Sequence, residues 1–178
     1  MVRSFEMPGD DRLVQIVDAA LVETARLSGP WLLCRPGCAQ CCLGEFPITQ
    51  LDAQRLRRGL ADLRAHEPLR ADWVRRRARE MAAREMTDDD PCPALDPETS
   101  TCDLYAARPI VCREFGPPVR TDEGDLGVCE LCFSGATEAE IAACNVEYPD
   151  ELERRLISEL EESTGLRGAT TVARALSG

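Results

Sequence analysis

Cysteine clustering is the feature of this sequence that most restricts its fold. Ten of the 178 residues are cysteine, and four of them fall within nine residues, in Cys34-Arg-Pro-Gly-Cys38-Ala-Gln-Cys41-Cys42. The first residues lack the apolar run of a secretory signal, so we expect a cytoplasmic protein with reduced thiols. In a reducing compartment, clustered cysteines indicate metal ligands rather than disulfides.

Charge and hydropathy disfavour several classes of partner. Twenty-one basic residues, all arginine, stand against 32 acidic ones, and the net charge of −11 disfavours general binding to nucleic acid or anionic lipid. The tract Arg75-Arg76-Arg77-Ala-Arg79 is predicted to be a solvated helix face rather than an RNA-binding surface. No stretch reaches the roughly 20 apolar residues that cross a bilayer, so no membrane association is expected. The predicted partners are metal ions, with a protein partner as a further alternative.

Apolar periodicity and capping residues predict about five helices. They run from Asp10 to Ser28, from the Thr49–Asp52 capping pattern to about Ala65, from Pro68 to before Asp88, from Thr137 to about Glu147, and from Pro149 to Gly165. The third helix is expected to bury Leu69, Trp73, Ala78 and Met81. Prolines and glycines between Cys92 and Phe133 predict a loop-dominated region that carries five cysteines.

These segments predict a mainly α fold. Residues 1–178 would form a single compact domain with a metal-binding region at 31–133. Helical segments at 10–29 and 137–165 would pack on that region. With only 44% apolar residues, the core is expected to be modest, and a bound metal would help to order the loops.

Cysteine spacing indicates ligand pairs. Cys38 and Cys41, like Cys129 and Cys132, are separated by two residues, which lets two thiolates turn toward one ion. Joining the two pairs would give a four-sulfur site. Adjacent residues rarely chelate one ion, so Cys41 and Cys42 are predicted to differ in role: they would serve two ions, two irons of a cluster, or one ligand and one packed thiol.

Three parts of the sequence resemble a known family. They are the Cys34–Cys42 run, the segment Cys92-Pro-Ala-Leu-Asp, and the tract Cys102-Asp-Leu-Tyr-Ala-Ala-Arg-Pro-Ile-Val-Cys112-Arg-Glu-Phe. Over roughly residues 31–133 the chain is similar to the CxxCxxCC cysteine-cluster proteins, also called YkgJ-like, although three residues rather than two separate Cys34 from Cys38. The resemblance implies a zinc- or iron-chelating domain. Some larger proteins with a similar cluster are linked to methylation of flagellin lysines, which adds transferase chemistry as an alternative.

The candidate metal ligands are nine cysteines. They are Cys34, Cys38, Cys41, Cys42, Cys92, Cys102, Cys112, Cys129 and Cys132. Cys144 lies in a predicted helix and is interpreted as a structural thiol. Arg108 and Arg113 are expected beside the metal centre, because a metal bound by several thiolates is anionic. The alternative for Arg108 is a structural contact with carbonyl groups, Asp103 or Glu114. Tyr105 is predicted to be a core residue.

The sequence therefore predicts a metal-binding protein with an all-cysteine iron–sulfur or zinc centre, and both cofactors stay open. One alternative is a cluster-dependent transferase or redox enzyme, for which no catalytic residue is assigned. A further alternative is a metal-delivery or protein-interaction module with structural zinc. The sole histidine, His66, is expected at a solvent-exposed helix end rather than as a catalytic base.

Overall fold

The computed structural model describes residues 8–120 and 125–178, and most of its regular structure is helical. The helices are α1 (Pro8–Ser28), α2 (Gln50–His66), α3 (Pro68–Ala82), α4 (Ile110–Glu114), α5 (Glu138–Ala143), α6 (Glu151–Thr164) and α7 (Val172–Leu176). Two short antiparallel pairs complete it: β1 (Leu95–Asp96) with β2 (Thr101–Cys102), and β3 (Val119–Arg120) with β4 (Leu126–Gly127). The prediction of a mainly α fold is confirmed. None of the helices in the described residues is long and apolar enough to cross a membrane.

The chain divides into two compact units. Unit 1 comprises Pro36–Pro109 and Arg154–Gly178, and unit 2 comprises residues 8–35 and Ile110–Glu153. Unit 1 is therefore discontinuous in sequence, with most of unit 2 lying between its two parts. The assignment of residues 1–178 to one domain stays a prediction.

Three helices, α2, α3 and α7, form the core of unit 1. Its buried side chains include Leu56, Val74 and Leu176, and the small residues Ala71 and Ala78 of α3 are fully buried. Small side chains at these positions let neighbouring helices approach closely. The predicted inner face of α3 is wrong for two residues, because Leu69 and Trp73 are 72% and 55% exposed. The helix instead buries Ala71, Val74, Ala78 and Met81, which lie at intervals of three and four residues.

A capping box begins α2 as the sequence predicts. The Thr49 hydroxyl accepts a hydrogen bond from the Asp52 amide at 3.0 Å, and the Asp52 carboxylate accepts one from the Thr49 amide at 3.3 Å. Asp52 also binds the buried Arg55 guanidinium at 2.6 Å. Aspartate therefore replaces the usual glutamate in this box, and its second oxygen neutralises a buried cation.

Unit 2 contains α1, α4 and α5. Helices α1 and α4 pack together, and the buried Arg113 guanidinium of α4 binds both Asp18 oxygens of α1 at 2.7 and 2.9 Å. The same type of capping box, Thr137 with Glu140, begins α5, but the helix ends at Ala143 instead of Glu147. Beyond it Cys144 lies in a turn, no regular secondary structure follows up to Asp150, and Glu147 forms an ion pair with Arg120.

Short elements account for the other differences from the predicted helices and loops. The region 92–133 contains α4 and both strand pairs within its loops, and α7 follows the helix that the sequence indicated as the last. Helix α7 has only five residues and follows the N-cap residue Thr171. Periodicity over such a length is too short to distinguish a helix from a turn.

We predict that Thr49→Ala destabilises the protein by about 1 kcal/mol, because the first amides of α2 lose their side-chain acceptor. Urea unfolding followed by circular dichroism measures this change. Asp62→Ala, at an exposed position of the same helix, is the control and should alter the free energy of unfolding by less than about 0.5 kcal/mol. Equal effects of the two substitutions would contradict a specific role for the cap.

Candidate metal centre

Backbone pairing joins two cysteine-bearing segments of unit 1. The Cys92 amide donates to the Cys42 carbonyl at 2.6 Å, and the Gly44 amide donates to the Asp90 carbonyl at 2.9 Å. An antiparallel bridge between Leu43 and Pro91 lies between these two bonds. The backbone at Cys42 is therefore fixed beside that at Cys92, although 49 residues separate them in sequence.

A third cysteine reaches the same part of unit 1 through a hairpin. In the β1–β2 pair Leu95 lies opposite Cys102, and the Asp103 amide donates to the Ala94 carbonyl at 2.7 Å. Cys92 and Cys102 both pack against the unit 1 core. Hydrogen bonding thus places cysteines from three segments in one region, which the nine-residue interval between Cys92 and Cys102 did not reveal.

A buried carboxylate connects this region to α3. The Asp103 side chain is only 3% exposed, and it accepts hydrogen bonds from Arg70 Nε at 2.5 Å and Arg77 Nη2 at 2.8 Å. Arg77 Nε also donates to the Pro93 carbonyl at 2.8 Å. One guanidinium therefore holds the residue that follows Cys92 and the residue that follows Cys102.

The contacts of Arg77 with Pro93 and Asp103 change the interpretation of the basic tract at residues 75–79. Arg75 and Arg79 donate to the carbonyls of Gly178 and Ser177, while Arg76 lies near Glu80 and is exposed. The prediction of a solvated helix face therefore holds for Arg76. It is wrong for Arg77, whose guanidinium is used within the chain.

The adjacent thiols Cys41 and Cys42 differ in acidity. A hydrogen bond from the Cys42 thiol, aided by the positive charge of Arg108, lowers the pKa of Cys41 to about 6. The same hydrogen bond, together with burial and the negative charge on Cys41, raises the pKa of Cys42 well above its ordinary value. Near neutral pH the pair therefore consists of one thiolate and one thiol.

Two further thiols interact electrostatically with this pair. Burial raises the pKa of Cys92 to about 12, and it also raises the pKa of Cys102. Cys42 experiences the charges of both Cys92 and Cys102, and Cys102 experiences that of Cys41. The four sulfurs thus form a coupled set, which we call the unit 1 thiols. Cys38 is half-buried and precedes Cys41 and Cys42 on the same loop.

Arg108 is the cation whose charge acts on Cys41, and it directly follows the tight turn formed by Tyr105–Ala107. Its guanidinium lies 4.0 Å from the centroid of the Tyr105 ring and donates to the Tyr105 carbonyl at 2.9 Å. Tyr105 is 64% exposed, so the prediction that it is a core residue is wrong. The turn packs on α2 at Gly59, where a Cβ atom would overlap that of Ala107.

The other five cysteines belong to unit 2. They are Cys34, Cys112, Cys129, Cys132 and Cys144. A turn joins Cys129 and Cys132 through an amide–carbonyl bond of 2.8 Å, and the Leu33 amide donates to Cys132 Sγ at 3.4 Å. Gly116 adjoins Cys34, since a Cβ atom on this glycine would lie 2.8 Å from the cysteine sulfur. Cys144 is buried at the end of α5 and donates to the Leu27 carbonyl at 3.4 Å.

The nine predicted ligands are therefore divided between the units. A single centre that draws on both sets stays a prediction. Arg108 has an electrostatic effect on Cys41, whereas Arg113 binds Asp18 in unit 2. The sequence indicated Asp103 as a possible contact of Arg108, whereas its partners in the structure are Arg70 and Arg77. Arg70 and Arg77 lie seven residues apart, two helical turns on one face, and this interval was the available signal.

The chemistry of the unit 1 thiols fits zinc and iron. Both metals accept thiolate ligands, and a thiolate beside an arginine is compatible with an anionic metal–sulfur group. Across residues 8–120 and 125–178, no three cysteine, histidine, aspartate or glutamate side chains are already arranged to hold one metal ion.

We predict that Cys41 is the most readily alkylated unit 1 thiol at pH 7, because its pKa is lowered while those of Cys42, Cys92 and Cys102 are raised. Iodoacetamide labelling of the metal-free chain, followed by peptide mass spectrometry, measures the order. The Cys41 rate should rise through about pH 6 and then level off. Cys42→Ala should move this rise to higher pH, and an unchanged profile would contradict the hydrogen-bonded pair.

We also predict that Asp103→Asn destabilises the protein by about 2 kcal/mol, because two charge-assisted hydrogen bonds to a buried carboxylate are weakened. Glu80→Gln is the matched control. It neutralises the acid of an exposed ion pair with Arg76 on α3, and such pairs contribute little to stability. Equal unfolding midpoints in urea for the two variants would show that the Asp103 contacts are energetically unimportant.

Comparison with known proteins identifies the family. The family model CxxCxxCC, described as a putative zinc- or iron-chelating domain, matches residues 33–133. This match spans more than half of the chain and includes every cysteine except Cys144. Neither the curated proteins nor the solved structures provide a match. The chain belongs to the CxxCxxCC family of zinc- or iron-chelating domains.

Proposed function

We propose that this protein binds zinc or an iron–sulfur centre through the unit 1 thiols Cys41, Cys42, Cys92 and Cys102, with Cys38 as a neighbouring donor. The observation that carries the proposal is the convergence of three chain segments, fixed by the Cys92–Cys42 backbone bond and by the β1–β2 pair. Chelation by residues distant in sequence requires such a framework.

The surroundings of the unit 1 thiols suit an anionic metal–sulfur group. Four thiolates around Zn²⁺ carry a net charge of about −2, and iron–sulfur clusters are commonly anionic. Arg108 supplies a positive charge near Cys41. Arg77 and Asp103 would act as positioning residues, because they hold the loops on which Cys92 and Cys102 lie. Contacts of this kind typically alter metal affinity about 10- to 100-fold when they are removed.

The unit 2 cysteines supply a second candidate set, formed by Cys34, Cys112, Cys129 and Cys132. Cys129 and Cys132 have ligand-pair spacing, and the Leu33 amide donates to the Cys132 sulfur. Backbone N–H groups directed at sulfur are a common feature around metal-bound cysteines. Cys144 is excluded from this proposed set, because its thiol donates to the backbone carbonyl of Leu27.

The bound group would determine the chemistry. Zinc in a closed thiolate site stabilises a fold, whereas an iron–sulfur cluster also supplies electron transfer. The cluster-dependent transferase, the redox enzyme and the metal-delivery or interaction module stay hypotheses that share this metal centre. The cytoplasmic location likewise stays a prediction.

Anaerobic purification of the full chain, followed by metal analysis, acid-labile sulfide analysis and a visible spectrum, tests the proposal. Bound iron with stoichiometric sulfide and visible absorption would assign an iron–sulfur cluster, and colourless protein with stoichiometric zinc would assign zinc. A chain that retains neither metal, and cannot be reconstituted with either, would refute metal binding at these thiols.

Substitution of single cysteines locates the metal. We predict that Cys42→Ser and Cys102→Ser each lower the metal content or the metal affinity by at least about tenfold. Cys144→Ser is the control: it replaces a buried thiol that the proposal excludes, and it should leave the metal content unchanged. Normal metal content in both unit 1 variants would show that other residues bind the metal.

A further inference from the structure

Helix α3 carries apolar side chains on two sides. Small and aliphatic residues on its inner side pack in the unit 1 core. Leu69 and Trp73 lie one helical turn apart on the outer side, where they are 72% and 55% exposed. Tryptophan is enriched at protein–protein interfaces, and its burial beside a leucine is favourable. The outer side therefore has the composition of a binding face rather than that of an ordinary solvated surface.

Two charged residues continue this side of the helix. Leu69, Trp73, Arg76 and Glu80 follow one another at intervals of four, three and four residues, and we call them the α3 outer face. Alternating intervals of three and four keep successive side chains on one side of a helix. The side chains of Arg76 and Glu80 are 69% and 68% exposed, and their Nε and Oε1 atoms lie 3.9 Å apart. The face thus combines apolar surface at one end with exposed charge at the other.

We propose that the α3 outer face binds the same face of a second copy of this chain, with the two helices antiparallel. In an antiparallel pair whose two-fold axis passes between residues 74 and 75, Trp73 of each copy faces Arg76 of the other. A guanidinium over an indole ring is a favourable cation–π contact. Leu69 correspondingly faces the aliphatic part of Glu80. No residue of α3 is a candidate metal ligand, so this interaction is independent of the proposed metal function.

Charges on one flank of this face favour the antiparallel orientation. Asp72 and Arg79 are exposed and lie seven residues apart, so they share this flank. The antiparallel pair brings Asp72 of each copy beside Arg79 of the other, whereas a parallel pair would bring like charges together. Arg79 Nε donates to the Ser177 carbonyl at 3.1 Å, which leaves its charge and its terminal nitrogens for a second contact. The face is therefore complementary in charge to itself.

Two features limit the affinity of this dimer. Arg70 and Arg77 approach their counterparts on the opposite flank, although each binds Asp103 of its own chain, which offsets part of their charge. The net charge of −11 adds repulsion between the copies. Because the apolar contact consists of two leucines and two tryptophans, we expect a weak dimer with a Kd between about 10 μM and 1 mM.

Sedimentation equilibrium of the full chain over about 10 μM to 1 mM tests the proposal. A thiol reductant in the buffer excludes dimers that are linked by disulfides. We expect the average mass to rise with concentration from that of the monomer toward twice that value. A mass that stays at the monomer value throughout, or that rises beyond the dimer without a plateau, would overturn the inference.

Two variants and a control locate the contact. Trp73→Ala should weaken the dimer at least about tenfold, because tryptophans commonly dominate interface energies. Leu69→Asp should abolish it, because an aspartate would face Glu80 of the second copy. Val22→Asp is the control, since Val22 is 70% exposed on α1 and should not affect association. A dimer that persists in both α3 variants, or that is lost equally in the control, would refute the contact, provided that all circular dichroism spectra match that of the parent.

A charge exchange tests the pairing of the flanks. Asp72→Arg places two cations in each flank contact, and Arg79→Asp places two carboxylates there. Each variant alone should therefore dimerise at least about tenfold more weakly than the parent chain. An equimolar mixture of the two variants restores opposite charges at both contacts, so we expect it to recover the dimer. Equal association of the mixture and the separate variants would contradict the proposed pairing.

Discussion

The buried carboxylate of Asp103 constrains the region that carries the unit 1 thiols. It binds two guanidinium groups of α3, and one of these, on Arg77, also binds the Pro93 carbonyl. Burial of a carboxylate is costly unless it is paired with a cation. The ion pairs of Asp103 therefore hold the β1–β2 hairpin against α3. The positions of Cys92 and Cys102 thus follow from an ion pair formed by residues that bind no metal themselves.

Helices with strong local signals could be predicted from the sequence. The capping residues Thr49 and Asp52 located the start of α2, and Gly165, with φ of +73°, follows the last residue of α6. These signals are local, since a cap depends on hydrogen bonds within one turn. Helices α4 and α7 were missed because each has five residues, and because tertiary packing rather than periodicity stabilises elements of this length.

The candidate site was predictable in its residue types but less so in its arrangement. The spacing indicated thiol ligands and a difference between Cys41 and Cys42, and the structure gives these thiols opposite pKa shifts. The bridge between Leu43 and Pro91 could not be predicted, because backbone pairing between distant irregular segments leaves no period in the sequence. The exposure of Tyr105 was also missed. Its ring lies against the Arg108 guanidinium, so its aromatic face makes a contact at the surface rather than in the core.

The discontinuity of unit 1 has a consequence for biosynthesis. Val172 and Leu176 belong to the same core as Leu56 and Val74, so the hydrophobic support of the cysteine loops is complete only after α7 has left the ribosome. Translation of residues 110–153 alone takes roughly 2 to 9 s at about 5–20 residues per second. During that interval the nascent thiols of the first part of unit 1 lack their final support. Metal binding that depends on this support is therefore expected only after α7 has been synthesised.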